Sequence, residues 1–289
     1  MHGKYTGKCG VLERATGWRH LSREIGTMVV ELIDTHTHLD DDAFSGDIDS
    51  VIALSRSSGV NRWINVGYSP DRWNTTLALV KRIDGMSHML GMHPGNADEW
   101  NEETAGRLAE LVRETGPVAI GEIGLDLHWR KDNLSIQEDA LKRQLELAVR
   151  FTLPAVIHMR GADQALLEVL SRTEQLPHLH FHSFDGNEDF RKWIVDRQCT
   201  IGVGGLMTRK GSDSLRSWIA SVPMDRVALE TDSPYLKPQG VRGTRNHPAL
   251  LPRVSEALAT LWGVSPEEVG RVTTDNARRI FKLKPKDAP

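Results

Sequence analysis

The chain has 289 residues, 39% of them hydrophobic and 26% charged, with a formal net charge of −3. That length and balance let a core bury itself unaided, which excludes intrinsic disorder, and the near-neutral charge excludes a cationic coat for wholesale nucleic-acid packaging. No apolar run approaches the roughly 18 residues of a membrane span. Cys9 and Cys199 stand far apart with no CxxC, so neither a disulfide scaffold nor a thiolate zinc site is expected. A reducing, cytoplasmic setting fits, with no membrane partner.

Residues 1–27 are Gly-rich and basic and lack any sustained apolar period. They read as an N-terminal extension outside the core, or alternatively as an edge strand or cap. At Met28 the pattern switches to MVVELIDTHTHLD, a strand-type apolar run. The folded unit is therefore expected over 28–289, with Met28 a candidate initiator.

From there, short β-branched runs alternate with longer amphipathic stretches. The expected strands are 29–36, 60–67, 87–93, 117–124, 153–158, 177–182, 199–205 and 226–232. Helical stretches fall at 47–58, 72–83, 103–115 and 135–151, where Leu141, Leu145 and Ala148 share one helical face. Gly59, Gly116 and Gly263 stand where helices should stop, and Pro117, Pro154 and Pro177 open strands. Two more helices, 248–262 and 266–281, close the chain; Ser265-Pro266-Glu267-Glu268 is a helix start with acids at the positive dipole end.

Eight strand–helix repeats without a Gly-rich phosphate fingerprint point to an α/β fold, a TIM-like (β/α)8 barrel, over an open doubly wound sheet. The placement of polar residues decides between them. His36, His38, His93, Glu122, His158, His182 and Asp232 all fall at strand C-termini, where barrels build their active sites. An open sheet would gather them at one switch point.

Two histidines spaced by one residue on an extended segment, His36 and His38, face the same way. HxH alone is a weak signal. Joined by later imidazoles and acids in one cavity, it becomes a cation site, because so many buried polar groups would otherwise repel or stay unsatisfied. Imidazole with carboxylate suits zinc, manganese or magnesium. The donors exceed what one ion needs, so two divalent cations are expected. His36, His38 and Asp232 are assigned to one, His158 and His182 to the other, and Glu122 to both. His180, two residues before His182, is read either as inward-facing or as a packed core histidine.

The blocks IDTHTHLD, GMHP, GEIGLDLHW, AVIHMR, HFHSFDG and ETDSPYL, with the closing TTDNARRIF, resemble in order and spacing the TatD family of metal-dependent deoxyribonucleases, within the amidohydrolase superfamily. The resemblance runs from Met28 to about Lys284. It implies a TIM-like barrel, two divalent cations per subunit and hydrolysis of DNA phosphodiesters, often from the 3′ end of single strands. Position by position, it carries metal-ligand roles onto His36, His38, Glu122, His158, His182 and Asp232, and a substrate role onto His93. Two departures bear on substrate preference. His182-Ser183-Phe184-Asp185-Gly186 adds a rim carboxylate, and Asn246-His247-Pro248 lacks the family's usual glutamate. His247 is either a substrate contact or a solvent-facing rim histidine.

Asp232 is the expected general base, with Glu122 and His93 as its catalytic companions; His93 would orient the phosphate or protonate the leaving oxygen. A helix-start histidine fixed by Pro94 is the plainer reading of His93. Arg160, Lys237, Arg242 and Arg245 are the candidate substrate contacts, among rim cations that include Arg130, Lys131 and Arg209. Trp129 and Tyr235 are read as base-stacking platforms or as packed lids. The leading function is a 3′–5′ exodeoxyribonuclease acting on single-stranded DNA. A metallo-esterase acting on a mischarged aminoacyl-tRNA, and a non-catalytic module, are the alternatives.

Overall fold

The computed structural model describes residues 31–129 and 131–284. The expectations placed on residues 1–27, on Met28 and on Arg130 lie outside the described residues.

Among these, eight strands form one parallel sheet in chain order: β1 (Leu32–Thr37), β2 (Val60–Gly67), β3 (Met86–Leu90), β4 (Ile120–Asp126), β5 (Ala155–Arg160), β6 (Leu179–Phe181), β7 (Thr200–Val203) and β8 (Val227–Leu229). The barrel closes where β1 meets the segment after β8. There the Asp232 N–H donates to the His36 carbonyl at 2.9 Å, and the His38 N–H to the Ser233 carbonyl at 2.8 Å. The (β/α)8 barrel read from the sequence is the observed fold.

The helices are α1 (Ile48–Ser57), α2 (Pro70–Arg82), α3 (Glu102–Thr115), α4 (Leu134–Phe151), α5 (Asp163–Arg172), α6 (Glu188–Asp196), α7 (Asp213–Ser221), α8 (Leu251–Trp262) and α9 (Pro266–Ile280). Their ends follow the sequence signals. Ser265 caps α9 by accepting the Glu268 N–H, and Gly116 ends α3 in the left-handed region.

Every residue of β1 and β4 is buried, as both faces of a parallel barrel strand must be. Outward residues such as Trp63, Leu90 and Phe181 pack under the helices. The barrel floor is a separate apolar cluster of Ile64, Val66, Met89, Val156 and Ala228, plugged by Ile280 and Phe281 at the end of α9. His180 belongs to this floor: its Nδ1 lies 2.9 Å from the Thr200 hydroxyl and its ring stands edge-on to Phe281. Burial pushes its pKa down to about 3. It is a core histidine.

Several strand ends differ from the sequence reading: β3 stops at Leu90, leaving His93 beyond the strand, β7 stops at Val203, and β4 and β5 run on to Asp126 and Arg160. Only Leu179–Phe181 is regular within 177–182, and β8 stops at Leu229 rather than 232. Asp232 adopts a left-handed backbone, φ 58°, and turns the chain across to β1. Its carboxylate comes to lie 3.3 Å from His38 Nε2 and 3.8 Å from the Nε2 of both His36 and His182.

Candidate metal centre

The C-terminal mouth gathers the six candidate ligands from five strand ends. Asp34 and His36 alternate inward along β1, and His38 follows one residue past its end. His36 Nε2 lies 3.5 Å from Glu122 Oε2 and 3.8 Å from Asp232 Oδ1, and His38 Nε2 lies 3.3 Å from the same Asp232 oxygen. His182 Nε2 lies 3.7 Å from Glu122 Oε1 and 3.8 Å from Asp232 Oδ1, with its ring stacked on His36 at 3.6 Å. His158 Nδ1 meets Glu122 Oε1 at 2.8 Å. Glu122 therefore touches His36, His158 and His182 together.

The donor atoms fall into three groups: His36–His38–Asp232 and His36–Glu122–His182, which share His36, and His93–Asp126–His158, which stands apart. The first coincides with one of the two expected ligand sets. His182 groups with His36 rather than with His158, and Glu122 joins the two sides.

His36 tests whether a cation fits. Both its ring nitrogens are buried without a hydrogen-bond partner. Burial, then His182 beside it, holds its pKa below the usual imidazole value, so it is a buried neutral donor. Facing it is Glu122. Burial opposes its charge, but His36 and His93 keep its carboxyl well below the usual range. Neutral imidazole beside ionised carboxylate is the donor set of a divalent cation.

Carboxylates that the sequence reading passed over stand behind the histidines. Glu230 Oε1 lies 3.0 Å from His182 Nδ1 and accepts from the Ser183 N–H and hydroxyl at 2.7 and 2.8 Å. Gly202 makes room for it, since a Cβ there would fall 1.9 Å from Glu230 Oε2. Asp126 Oδ2 lies 3.1 Å from His158 Nε2. Deeper still, Asp34 accepts from the Thr231 N–H and hydroxyl at 2.8 and 2.6 Å, and burial pushes its pKa up to about 8. A signal existed: Asp126 shares the period-two face of Glu122, and Glu230 that of Asp232.

His93 accepts the Gly95 N–H on Nδ1 at 2.9 Å and opens a short 3-10 turn at Pro94. Its Nε2 faces Glu122 Oε1 at 4.0 Å and its ring meets His158 at 4.4 Å. The helix-start role and the site position thus coincide in one residue.

Above the cage opens a cavity of about 790 Å³, lined among others by Tyr68, His93, Trp129, Arg160, Asp185, Arg209 and Tyr235. Arg160 sits over the Trp129 ring at 5.4 Å, and both Trp129 and Tyr235 are exposed. Three candidate contacts fall outside the lining: Arg242, Lys237, which donates to the Gly243 carbonyl, and Arg245, which pairs with Asp47 at 2.5 Å. Arg245 also covers Phe44 and donates to the Ala43 carbonyl, so its charge is spent on the α1 side. His247 is half-buried with Nδ1 unpartnered, also outside the lining.

A histidine–carboxylate cage at the C-terminal mouth of a (β/α)8 barrel defines the class of metal-dependent hydrolase barrels. Within it, the chain belongs to the TatD-related DNase family, whose sequence profile matches residues 33–282. It is 31% identical over 254 residues to the metal-dependent hydrolase YabD of Bacillus subtilis, covering 87% of this chain and 99% of that protein. It is 33% identical over 257 residues to the 3′-5′ ssDNA/RNA exonuclease TatD of Cronobacter sakazakii, covering 86% and 97%. The crystal structure of YjjV, a TatD homologue from Escherichia coli K12, superposes with a TM-score of 0.81 at 31% identity, over 89% of this chain and all of that one. Among the described residues, no helix is long and apolar enough to cross a membrane.

Proposed function

We propose that this protein is a two-cation deoxyribonuclease that removes nucleotides from the 3′ end of single-stranded DNA. One observation carries the reading: Glu122 lies between His36, His158 and His182 directly beneath an open cavity rimmed by cations and exposed aromatic rings. His36, His38 and Asp232 would hold one cation; His158 and His182, which fall in separate donor groups but both face Glu122 Oε1 at 2.8 and 3.7 Å, would hold the other, with Glu122 common to both. The exonuclease name of the Cronobacter relative agrees with this substrate class.

When bound, divalent magnesium, manganese or zinc would polarise the phosphoryl group and acidify water at neutral pH. The chain's own residues do the rest. Asp232, whose carboxylate faces His36, His38 and His182, serves as proton acceptor. His93, whose Nδ1 accepts a backbone N–H, keeps its proton on Nε2 and can donate it toward the phosphate or leaving oxygen. Arg160 and Arg209 stand at the cavity wall to neutralise phosphates, and Trp129 and Tyr235 offer faces to bases.

The test is incubation with 3′- and 5′-labelled single- and double-stranded DNA and RNA in magnesium, manganese or zinc, with EDTA as control. Single-strand DNA shortening from the 3′ end, abolished by EDTA and by Glu122→Ala, is expected. Cleavage of an aminoacyl ester with no attack on any oligonucleotide would replace the reading by an esterase.

A further inference from the structure

Asp126 ends β4, four residues beyond Glu122 and on the same face. Its two oxygens do different work. Oδ2 lies 3.1 Å from Nε2 of His158, whose Nδ1 lies 2.8 Å from Glu122. Oδ1 accepts the N–H groups of His128 and Trp129 at 2.9 and 3.2 Å. A carboxylate holding two backbone donors cannot rotate, so the oxygen it turns to His158 is fixed as well. Gln137 of α4 locks the backbone beneath, accepting the Asp126 N–H at 2.9 Å and donating to its carbonyl at 3.2 Å. The loop so held presents Trp129, 72% exposed, at the cavity wall.

We propose that Asp126 is a positioning residue that sets both the His158 ring toward its cation and the loop that offers Trp129 to the bases of the substrate. The proposal rests on the reading of the site as a cation-dependent nuclease. A histidine ligates through one nitrogen, and the partner of the other nitrogen fixes its tautomer and rotation. Here that partner also pins the aromatic loop, so cation retention and base contact share one side chain.

The two roles separate by substitution. Asp126→Asn keeps an oxygen for the loop amides but sets an N–H against the Nε2–H of His158. Asp126→Ala removes both contacts. Full-length protein stripped with EDTA would be titrated with manganese by calorimetry. Quenching of Trp129 by an oligothymidylate would be followed in the ion-free state, with Trp129→Leu as background and circular dichroism as the folding control. Asp126→Asn is expected to weaken manganese binding about 10–100-fold with quenching unchanged. Asp126→Ala should lose both.

Wild-type manganese affinity in Asp126→Asn would overturn the proposal. So would Asp126→Ala retaining the Trp129-dependent quench, or its absence in the wild type. Loss of one whole manganese equivalent, the rest binding normally, would make Asp126 a ligand and overturn its positioning role. A wild-type chain that binds no manganese would instead remove the reading of the site on which the proposal stands.

Discussion

Gln144 holds both backbone polar groups of Met92, the residue before His93: its Oε1 accepts the N–H at 2.6 Å and its Nε2 donates to the carbonyl at 3.2 Å. Gln137, two turns earlier on the same face of α4, grips Asp126 in the same way. One helix therefore clamps the chain beyond β3 and the end of β4. Gln144→Leu keeps the volume but strands a buried N–H and a buried carbonyl, at a cost of about 2–4 kcal/mol. Urea unfolding of wild type and variant measures it. An unchanged midpoint and slope would show that the clamp holds nothing.

Arg160 and Lys237 make a matched pair of cations, because Arg160 lines the cavity whereas Lys237 donates to the Gly243 carbonyl. Arg160→Ala is expected to weaken single-strand binding and lower its salt slope by about one, the signature of a lost phosphate contact. Lys237→Ala should leave that slope alone. Fluorescence titration at several ionic strengths, with EDTA present, checks both. Equal slopes for the two variants would remove the distinction between them.

The barrel was legible because its signals are local: β-branched runs, helix caps and polar residues at strand ends each act within a few positions. His36, His38, Glu122, His158, His182 and Asp232 could be picked out since each lies in or within three residues of a strand, among apolar neighbours that make a polar side chain conspicuous. For the supporting carboxylates the sequence offered only a shared alternation, Asp126 with Glu122 and Glu230 with Asp232, and no sign of their role. Asp126 and Glu230 matter only through what stands opposite, Nε2 of His158 and Nδ1 of His182, and the sequence holds no record of facing partners. Arg160 and Arg209 do line the cavity, but Arg245 left the rim for a related reason. Arg245 sits near the last strand in the chain, yet Asp47 and Phe44 draw its guanidinium away from the mouth.

His88 gives a pH dependence remote from the mouth. It is buried in β3 and donates Nε2–H to the Thr115 hydroxyl at 3.0 Å, while that hydroxyl donates to the Leu111 carbonyl. Burial pushes its pKa down to about 4. The unfolded chain takes up a proton near pH 6.5, whereas the folded chain does so only near 4. Stability is therefore whole above pH 6.5, falls between 6.5 and 4, and has lost up to about 3 kcal/mol below that window. His88→Leu leaves Thr115 with its Leu111 partner and should flatten this slope. Denaturation midpoints at pH 7, 6, 5 and 4 read the effect, and parallel curves for wild type and variant would sink it.

Cation binding should expel protons. In the ion-free chain, burial disfavours charge on His158 and His182, but the carboxylates against them prevail: Asp126 and Glu122 lift His158 to about 9, and Glu230 and Asp232 lift His182 to about 10. Both rings are then imidazolium at pH 7, and an imidazolium cannot ligate. Loading must release about two protons, so affinity climbs as pH rises, by up to about 100-fold per unit. The climb ends only where the rings are already neutral, above pH 9–10. Calorimetric titration with manganese between pH 6 and 8, in buffers of different ionisation enthalpy, counts the protons directly. Heats independent of the buffer would mean that His158 and His182 are not the groups a cation displaces protons from.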